Sequence, residues 1–349
     1  MACMAQHEPM AKPLQNPIAV VGAGAWGTAL AHHLSRNGRT VRLWAYETTV
    51  VSAIRSSREN SVFLPGVLLP ASLEPTNSLG EALRDADAVV FAAPSHVARD
   101  VLVQMHRSRP EPCPLISATK GIEEGTHELM SDVIVDTFLQ GRADLCTVLS
   151  GPSFALEVAQ GQPTAVTLAG ADAELVRRMQ AVLMSSRFRV YGATDFIGVQ
   201  LGGALKNVIA LAAGAVDGLR LGHNTRAALI TRGLAEMIRL GRAMGADPRT
   251  FYGLSGVGDL VLTCTGPASR NHRVGVRLGE GESLDQILSG MQTVAEGIRT
   301  ARAAAGLAER YAVDMPIVRE ICAVLFEGKS CLRAVDALME REPKEELAH

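Results

Sequence analysis

The 349-residue chain is long enough for about two domains, and a composition of 47% hydrophobic and 20% charged residues excludes a disordered chain or a coiled coil. Lys and Arg number 34 against 36 Asp and Glu, a net charge of -2, so no overall basic surface is present to neutralise nucleic-acid phosphates or anionic lipid. A packed globular enzyme with no nucleic-acid partner is expected, and any anion it binds must meet local charge.

Residues 1–16 carry His7, Glu8, Pro9, Lys12 and Pro13 where a secretory signal needs a sustained apolar stretch, so they read as a mobile tail. From Ile18 onward short β-branched runs alternate with helical patterns, the mark of parallel strands joined by crossover helices. Strands are expected at Ile18–Val21, Val41–Trp44, Ala88–Phe91, Leu115–Ser117, Thr147–Leu149, Ala165–Ala169 and, more weakly, Phe188–Tyr191. Helices are expected at Trp26–Asn37, after Ser78, and at Val97–Met105, Glu128–Phe138 and Glu174–Met184. After about Gly192 strand-like runs vanish and long apolar-periodic segments take over, interrupted by a loop-rich stretch, Gly253–Arg273. The expected class is α/β: a doubly wound, Rossmann-like domain over 17–192, a mostly α-helical domain over 193–340, and a frayed, charged tail over 341–349. The apolar run Val208–Val216, broken by Gly214 and stopped by Asp217, falls far short of the roughly 20 residues that span a bilayer, so no membrane anchor is expected. Six scattered cysteines (Cys3, Cys113, Cys146, Cys264, Cys322, Cys331) form no Cys-x-x-Cys pair, which suits a reducing cytoplasm.

The first chemical signal is Gly22-Ala23-Gly24-Ala25-Trp26-Gly27, which follows an apolar strand and opens a helix. Gly22 permits the tight turn, Gly24 lets the backbone approach a pyrophosphate, and Gly27 lets the helix pack close, leaving helix N–H groups aimed at phosphate. About 20 residues on, Glu47 is a candidate for an adenosine ribose hydroxyl, while Arg55 or Arg58 could reach a 2′-phosphate, so NAD and NADP both stay open. Glu47 could equally just start a helix through its dipole.

Lys206 is the single charge within Leu201–Ala210, among Gly, Ala and apolar residues. A surface helix carries several charges, so a lone lysine there suggests a partly buried amine facing a pocket, although a lysine snorkelling to water fits as well. The stretch Leu254-Ser255-Gly256-Val257-Gly258-Asp259-Leu260, followed by Thr263, Thr265 and Ser269-Arg270-Asn271, tips the balance towards a pocket. It offers hydroxyls, close backbone approach, an Arg fork matched to phosphate, and an Asp suited to hold Lys206. Ser117–Gly121 and Leu149–Ala155 both leave strands at carboxyl ends, so Lys120 and Ser153 can face one crevice. The histidines, His32 and His33 among them, show no metal-ligand spacing.

Taken together, these motifs resemble the NAD(P)-dependent glycerol-3-phosphate dehydrogenases of bacterial type. The matching blocks are Gly22–Leu30, Phe63-Leu64-Pro65-Gly66, Ala118-Thr119-Lys120-Gly121, Ser150–Ala155, Leu205-Lys206-Asn207, Gly256–Leu260 and Ser269-Arg270-Asn271, from about Ile18 to past Glu296. The resemblance implies reversible reduction of dihydroxyacetone phosphate to sn-glycerol 3-phosphate, for phospholipid synthesis, with no metal. It makes Lys206 the proton donor and acceptor, and lines the substrate site with Lys120, Gly151, Ser153, Lys206, Asp259, Ser269, Arg270 and Asn271. It assigns Gly22, Gly24, Ala25, Trp26, Gly27, Tyr46, Lys120, Ala155, Arg270, Val294 and Glu296 to the nucleotide. Tyr46 stands where the family often has His or Arg beside the adenosine. A homodimer is compatible with a helix-rich second half. Two rivals remain: a dehydrogenase of a hydroxyacid or acyl-CoA would favour a His–Glu pair over the lone lysine, and a non-catalytic nucleotide sensor would lack the lysine or the anion loop.

Overall fold

The computed structural model describes residues 16–291, 295–343, 345 and 346. Eight strands form one sheet: β1 (Ile18–Val21), β2 (Val41–Trp44), β3 (Leu73–Thr76), β4 (Ala88–Phe91), β5 (Leu115–Ser117), β6 (Cys146–Ser150), β7 (Thr164–Gly170) and β8 (Phe188–Ala193). Their spatial order, β3-β2-β1-β4-β5-β6-β7-β8, reverses direction between β1 and β4. An open doubly wound sheet binds ligands at that switch point, beyond the carboxyl ends of the strands. Helices α1 (Ala25–Arg36), α2 (Thr48–Ser57) and α7 (Ala173–Leu183) cover one face, while α3 (Leu79–Leu83), α4 (Ala98–Ser108) and α5 (Met130–Thr137) cover the other. Because both faces are covered, β1 and β4 are buried at every position, which is why they read as unbroken apolar runs.

Two features of the sheet differ from the sequence expectation. The pair β6–β7 is antiparallel, since only the short α6 (Ala155–Ala159) joins them and five residues cannot make a crossover. Strand β3 went unread because Pro75 interrupts Leu73–Thr76, yet proline is tolerated on an edge strand, and β3 is the edge. That edge is closed chemically. Pro75 has no N–H to offer, the Arg55 guanidinium donates to the Pro75 carbonyl at 3.2 Å, and Arg58 donates to the Leu73 and Leu69 carbonyls at 3.0 and 3.3 Å. Arg55 and Arg58 thus line a groove along β3 with Arg42 and Arg84 and cap carbonyls of its edge.

From Phe196 onward the described elements are helical: α8 (Phe196–Gly218), α9 (Gly222–Ala243), α10 (Asp259–Thr265), α11 (Arg270–Gly279), α12 (Leu284–Ser289), α13 (Glu296–Arg310), α14 (Pro316–Phe326) and α15 (Cys331–Met339). Helix α8 starts where the Asp195 carboxylate accepts the Gly198 N–H at 2.9 Å. The apolar run extends well beyond Val208–Val216, and α8 is long and apolar enough to cross a bilayer by length and composition alone, but 89% of its apolar window is buried inside the protein. A helix that packs on all sides has no polar face to show.

The stretch Gly253–Arg273 is not the loop its composition suggests. It forms a wide turn of π-helix over Leu254–Gly258, then α10 and the start of α11. Its glycines serve close packing. A Cβ on Gly256 would lie 2.0 Å from the Phe251 carbonyl oxygen, and one on Gly202 of α8 would lie 2.3 Å from that of Ser255.

Candidate active site

The substrate side is set by how α11 lies on α8. Cβ atoms on Gly275 and Gly279 would meet the Leu211 and Ala215 carbonyl oxygens at 2.1 and 2.4 Å; on Gly214 and Gly218 they would meet those of His272 and Val276 at 2.0 and 2.2 Å. The helices therefore run parallel, backbone against backbone. The Asn271 amide donates to Asn207 at 2.9 Å with the same 64-residue offset as the Gly275–Leu211 and Gly279–Ala215 contacts. This register brings the N-terminus of α11, with Ser269, Arg270 and Asn271, alongside Lys206. Ser269 caps the helix by accepting the His272 N–H at 3.2 Å, and Asn271 also accepts the Gly297 N–H at 3.0 Å, tying in α13.

At the centre Asp259, fully buried at the start of α10, holds two lysines. Lys206 donates to Asp259 Oδ1, and Lys120 donates to Oδ2 at 2.8 Å and to the Gly151 carbonyl at 3.1 Å. Ser153 donates to that same carbonyl at 2.9 Å. Gly151 has φ +140°, and a Cβ there would sit 2.9 Å from Val166 Cα, so only glycine turns the chain here. Burial pushes the Lys206 ammonium down to about 7, with Asp259 opposing the shift and Lys120 adding to it. Burial also lowers the Arg270 guanidinium, against the pull of Glu296; Arg270 is exposed at the lip of the cleft and yet closely surrounded. A cation poised between its two protonation states beside a fixed carboxylate suits proton transfer near neutral pH.

The nucleotide side is built from backbone. Gly22, with φ +111°, ends β1, and a Cβ there would strike the Ala92–Ala93 peptide after β4 at 2.7 Å, which fixes the loop at the switch point. A Cβ on Gly27 would lie 1.8 Å from the Gly22 carbonyl oxygen. At Gly24, by contrast, a Cβ would meet nothing within 4 Å, so the open side of this turn is where a diphosphate fits. The buried Trp26 Nε1 has no partner within the described residues, leaving a donor for a ligand. Ala25 and Ala155 are half-buried at the first positions of α1 and α6, Tyr46 is 82% exposed at the tip of β2, and Glu47 caps α2 without a side-chain hydrogen bond. Val294 lies outside the described residues.

Glu296 joins the two sides, since its carboxylate accepts the Ser95 hydroxyl at 2.7 Å and the Ser95 N–H at 3.3 Å. Ser95 was not read from the sequence. Its one signal is position, since it follows Pro94 just beyond the carboxyl end of β4, at the switch point. Among the described residues no group of three or more His, Cys, Asp or Glu is placed to hold a metal.

Comparison with known proteins agrees with this construction. The family model described as the NAD-dependent glycerol-3-phosphate dehydrogenase N-terminus matches residues 17–176, and that for the C-terminus matches 195–336. The glycerol-3-phosphate dehydrogenase (NAD(P)+) of Geobacter metallireducens is 54% identical over 329 residues, 94% of this chain and 98% of the relative; that of Myxococcus xanthus is 48% identical over the same shares. Among solved structures, glycerol-3-phosphate dehydrogenase from Coxiella burnetii superposes with a TM-score of 0.89 at 39% identity, covering 93% of this chain and 99% of that one. The chain belongs to the NAD(P)-dependent glycerol-3-phosphate dehydrogenase family, two-part oxidoreductases with a Rossmann-like sheet and a helical second half.

Proposed function

We propose that the protein reversibly reduces dihydroxyacetone phosphate to sn-glycerol 3-phosphate with NAD(P)H, residues 17–192 holding the dinucleotide and 193–340 the substrate. The observation that carries this reading is the Lys206–Asp259–Lys120 cluster set beside the capped N-terminus of α11. When bound, the nicotinamide supplies the hydride to the ketone carbon or takes it back. Lys206 gives its proton to the developing alkoxide in reduction and accepts it in oxidation, and as an ammonium it stabilises that oxygen's charge. Asp259 holds Lys206 in position, and Lys120 supplies a second positive charge, with Gly151 and Ser153 shaping the wall beside it. Ser269, Arg270 and Asn271 grip the phosphate, where the helix dipole of α11 and the Arg270 fork both favour an anion. Binding energy spent on the phosphate orients the carbonyl two bonds away. Gly22, Gly24, Ala25, Trp26, Gly27, Tyr46 and Ala155 line the dinucleotide side, and Glu296 with the two cations Lys120 and Arg270 completes it.

The same reading makes the protein a cytoplasmic homodimer without a membrane anchor, feeding phospholipid synthesis. The free thiols of Cys113, Cys146, Cys264, Cys322 and Cys331, and the spending of α8 on the core, support the location; sedimentation tests the dimer. The activity is tested by following reduced-nicotinamide absorbance with dihydroxyacetone phosphate, unphosphorylated dihydroxyacetone and a 2-keto acid, NADH and NADPH in parallel. Turnover of the phosphorylated ketone alone is expected; turnover of the keto acid instead would replace this reading with the hydroxyacid one.

A further inference from the structure

We propose that Asn60, in the loop between α2 and β3, is a positioning residue for the dinucleotide, aiming the Gly24 N–H into the cofactor crevice. Its side chain is completely buried and its hydrogen bonds are nearly all spent. Nδ2 donates to the Ala23 carbonyl and to Thr28 Oγ1, both at 2.8 Å, and Oδ1 accepts the Phe63 N–H at 3.1 Å. Thr28 then donates its own hydroxyl to the same Ala23 carbonyl at 3.1 Å. Two donors therefore draw one carbonyl of the glycine turn into the interior.

A trans peptide is planar, and its C=O and N–H point in opposite directions. With the Ala23 carbonyl turned inward, the N–H of the same peptide, that of Gly24, is turned outward. The space beside Gly24 is open, since a Cβ there would meet nothing within 4 Å, which leaves room for a diphosphate at this peptide. Donors on the carbonyl also polarise the peptide and strengthen its N–H as a donor. A satisfied, buried amide resists rotation, because any other orientation leaves polar groups unpaired. The Asn60–Phe63 bond extends the effect to the Phe63-Leu64-Pro65-Gly66 segment, where Phe63 packs on the same core as Trp26. Asn60 itself stays behind the loop and acts on the cofactor only through the Gly24 peptide.

This inference rests on the reading that a dinucleotide binds at Gly22–Gly27. Asn60→Asp keeps the size of the side chain and removes both donors facing Ala23 and Thr28 but adds a negative charge that itself repels phosphate, while Thr28→Val keeps the shape, stays neutral and removes one donor, so the neutral variant must show the same pattern. Binding of NADH, ADP and adenosine to the whole protein is measured by calorimetry, beside steady-state kinetics. Asn60→Asp is expected to weaken NADH and ADP by about ten- to a hundredfold, the range for a lost hydrogen bond to a charged group. Adenosine affinity, kcat at saturating NADH and KM for dihydroxyacetone phosphate should move by less than about twofold, which a general loss of structure would not allow. Thr28→Val should show the same pattern at about three- to tenfold. Unchanged ADP affinity in either folded variant, or an equal loss for adenosine and ADP, overturns the proposal. If Asn60→Asp does not fold, Thr28→Val decides alone. Failure of the wild type to bind NADH would instead remove the functional reading beneath it.

Discussion

The two walls of the cleft are built from different material. On the proposed reading the nucleotide wall is mainly backbone, a glycine turn after β1 whose Ala23 carbonyl is held from behind by the neutral side chains of Asn60 and Thr28, with Glu296 and the cations Lys120 and Arg270 where it meets the substrate wall. The proposed substrate wall is made of charged side chains, Lys120, Lys206, Asp259 and Arg270, brought from four segments of the chain, with Asp259 and Lys206 almost wholly removed from water. Backbone groups cannot be deleted by substitution and do not titrate in the physiological range. Charged side chains can be removed one at a time, and burial brings Lys206 down to about 7, so the two walls should respond differently to mutation and to pH.

The sharpest separation comes from Lys206→Met. It should lower turnover by a factor of about 10² to 10⁴, more if the ammonium also stabilises the alkoxide, with the NADH dissociation constant nearly unchanged. Near-normal kcat would remove Lys206 from the mechanism; a large loss of NADH affinity would show that the walls are not separable.

Gly275→Ala probes the substrate wall without touching it. The added Cβ would lie 2.1 Å from the Leu211 carbonyl oxygen, so α11 must move off α8 and carry Ser269, Arg270 and Asn271 with it. A displacement near 1 Å can cost about a hundredfold in rate. The expected result is a loss of that order in kcat/KM for dihydroxyacetone phosphate, with NADH binding retained, and wild-type kcat/KM would show that the helix spacing is not critical.

How far each wall was legible in the sequence follows from the same difference. The Gly22–Gly27 segment is local, six residues running from the end of β1 into the first turn of α1, and its geometry could be inferred without knowing anything distant. Lys206 and Asp259 were legible as odd charges among small residues, but their contact depends on α10 packing against α8, and periodicity does not carry that. Gly253–Arg273 was misread because glycine has two uses, freedom and closeness, and composition alone does not separate them. Asn60 left no sequence signal at all, since an asparagine in a loop is an ordinary turn residue, and Pro75 hid β3 because the rule against proline in strands lapses at an edge.

Arg270→Lys tests the phosphate grip at a smaller scale. A point charge replaces a two-pronged fork, so kcat/KM for the phosphorylated ketone should fall about ten- to a hundredfold. Unphosphorylated dihydroxyacetone, a very poor substrate already, should be affected much less. Equal losses for both ketones with cofactor affinity unchanged would show that Arg270 does not read the phosphate.

The pH dependence follows from the burial of Lys206, whose pKa is pushed down to about 7. Reduction needs the ammonium, so kcat/KM for reduction should fall by up to about tenfold per pH unit above 7. Oxidation needs the free amine and should fall below 7. Dinucleotide affinity should stay comparatively flat across pH 6 to 9, in keeping with a wall of peptide groups. Profiles in both directions, with NADH titrations at each pH, would settle this, and parallel rather than mirrored limbs would exclude Lys206 as the titrating group.

The smallest expected effect concerns Arg55 and Arg58, which sequence alone allowed as 2′-phosphate ligands. Both guanidiniums donate to carbonyls of β3 and the segment before it, Arg55 to Pro75 and Arg58 to Leu69 and Leu73. Removing Arg55 uncovers one edge carbonyl that water can reach, so Arg55→Ala should cost no more than about 1 kcal/mol of stability. Arg58→Ala uncovers two and should cost somewhat more, with both variants exposing the edge to association between chains. The ratio of NADPH to NADH affinity should be the same in wild type and in both variants, because both side chains, coming from α2 and its C-cap, are turned to the carbonyls at the edge of β3. A selective loss of NADPH binding in either variant would return that arginine to the nucleotide wall as a 2′-phosphate ligand.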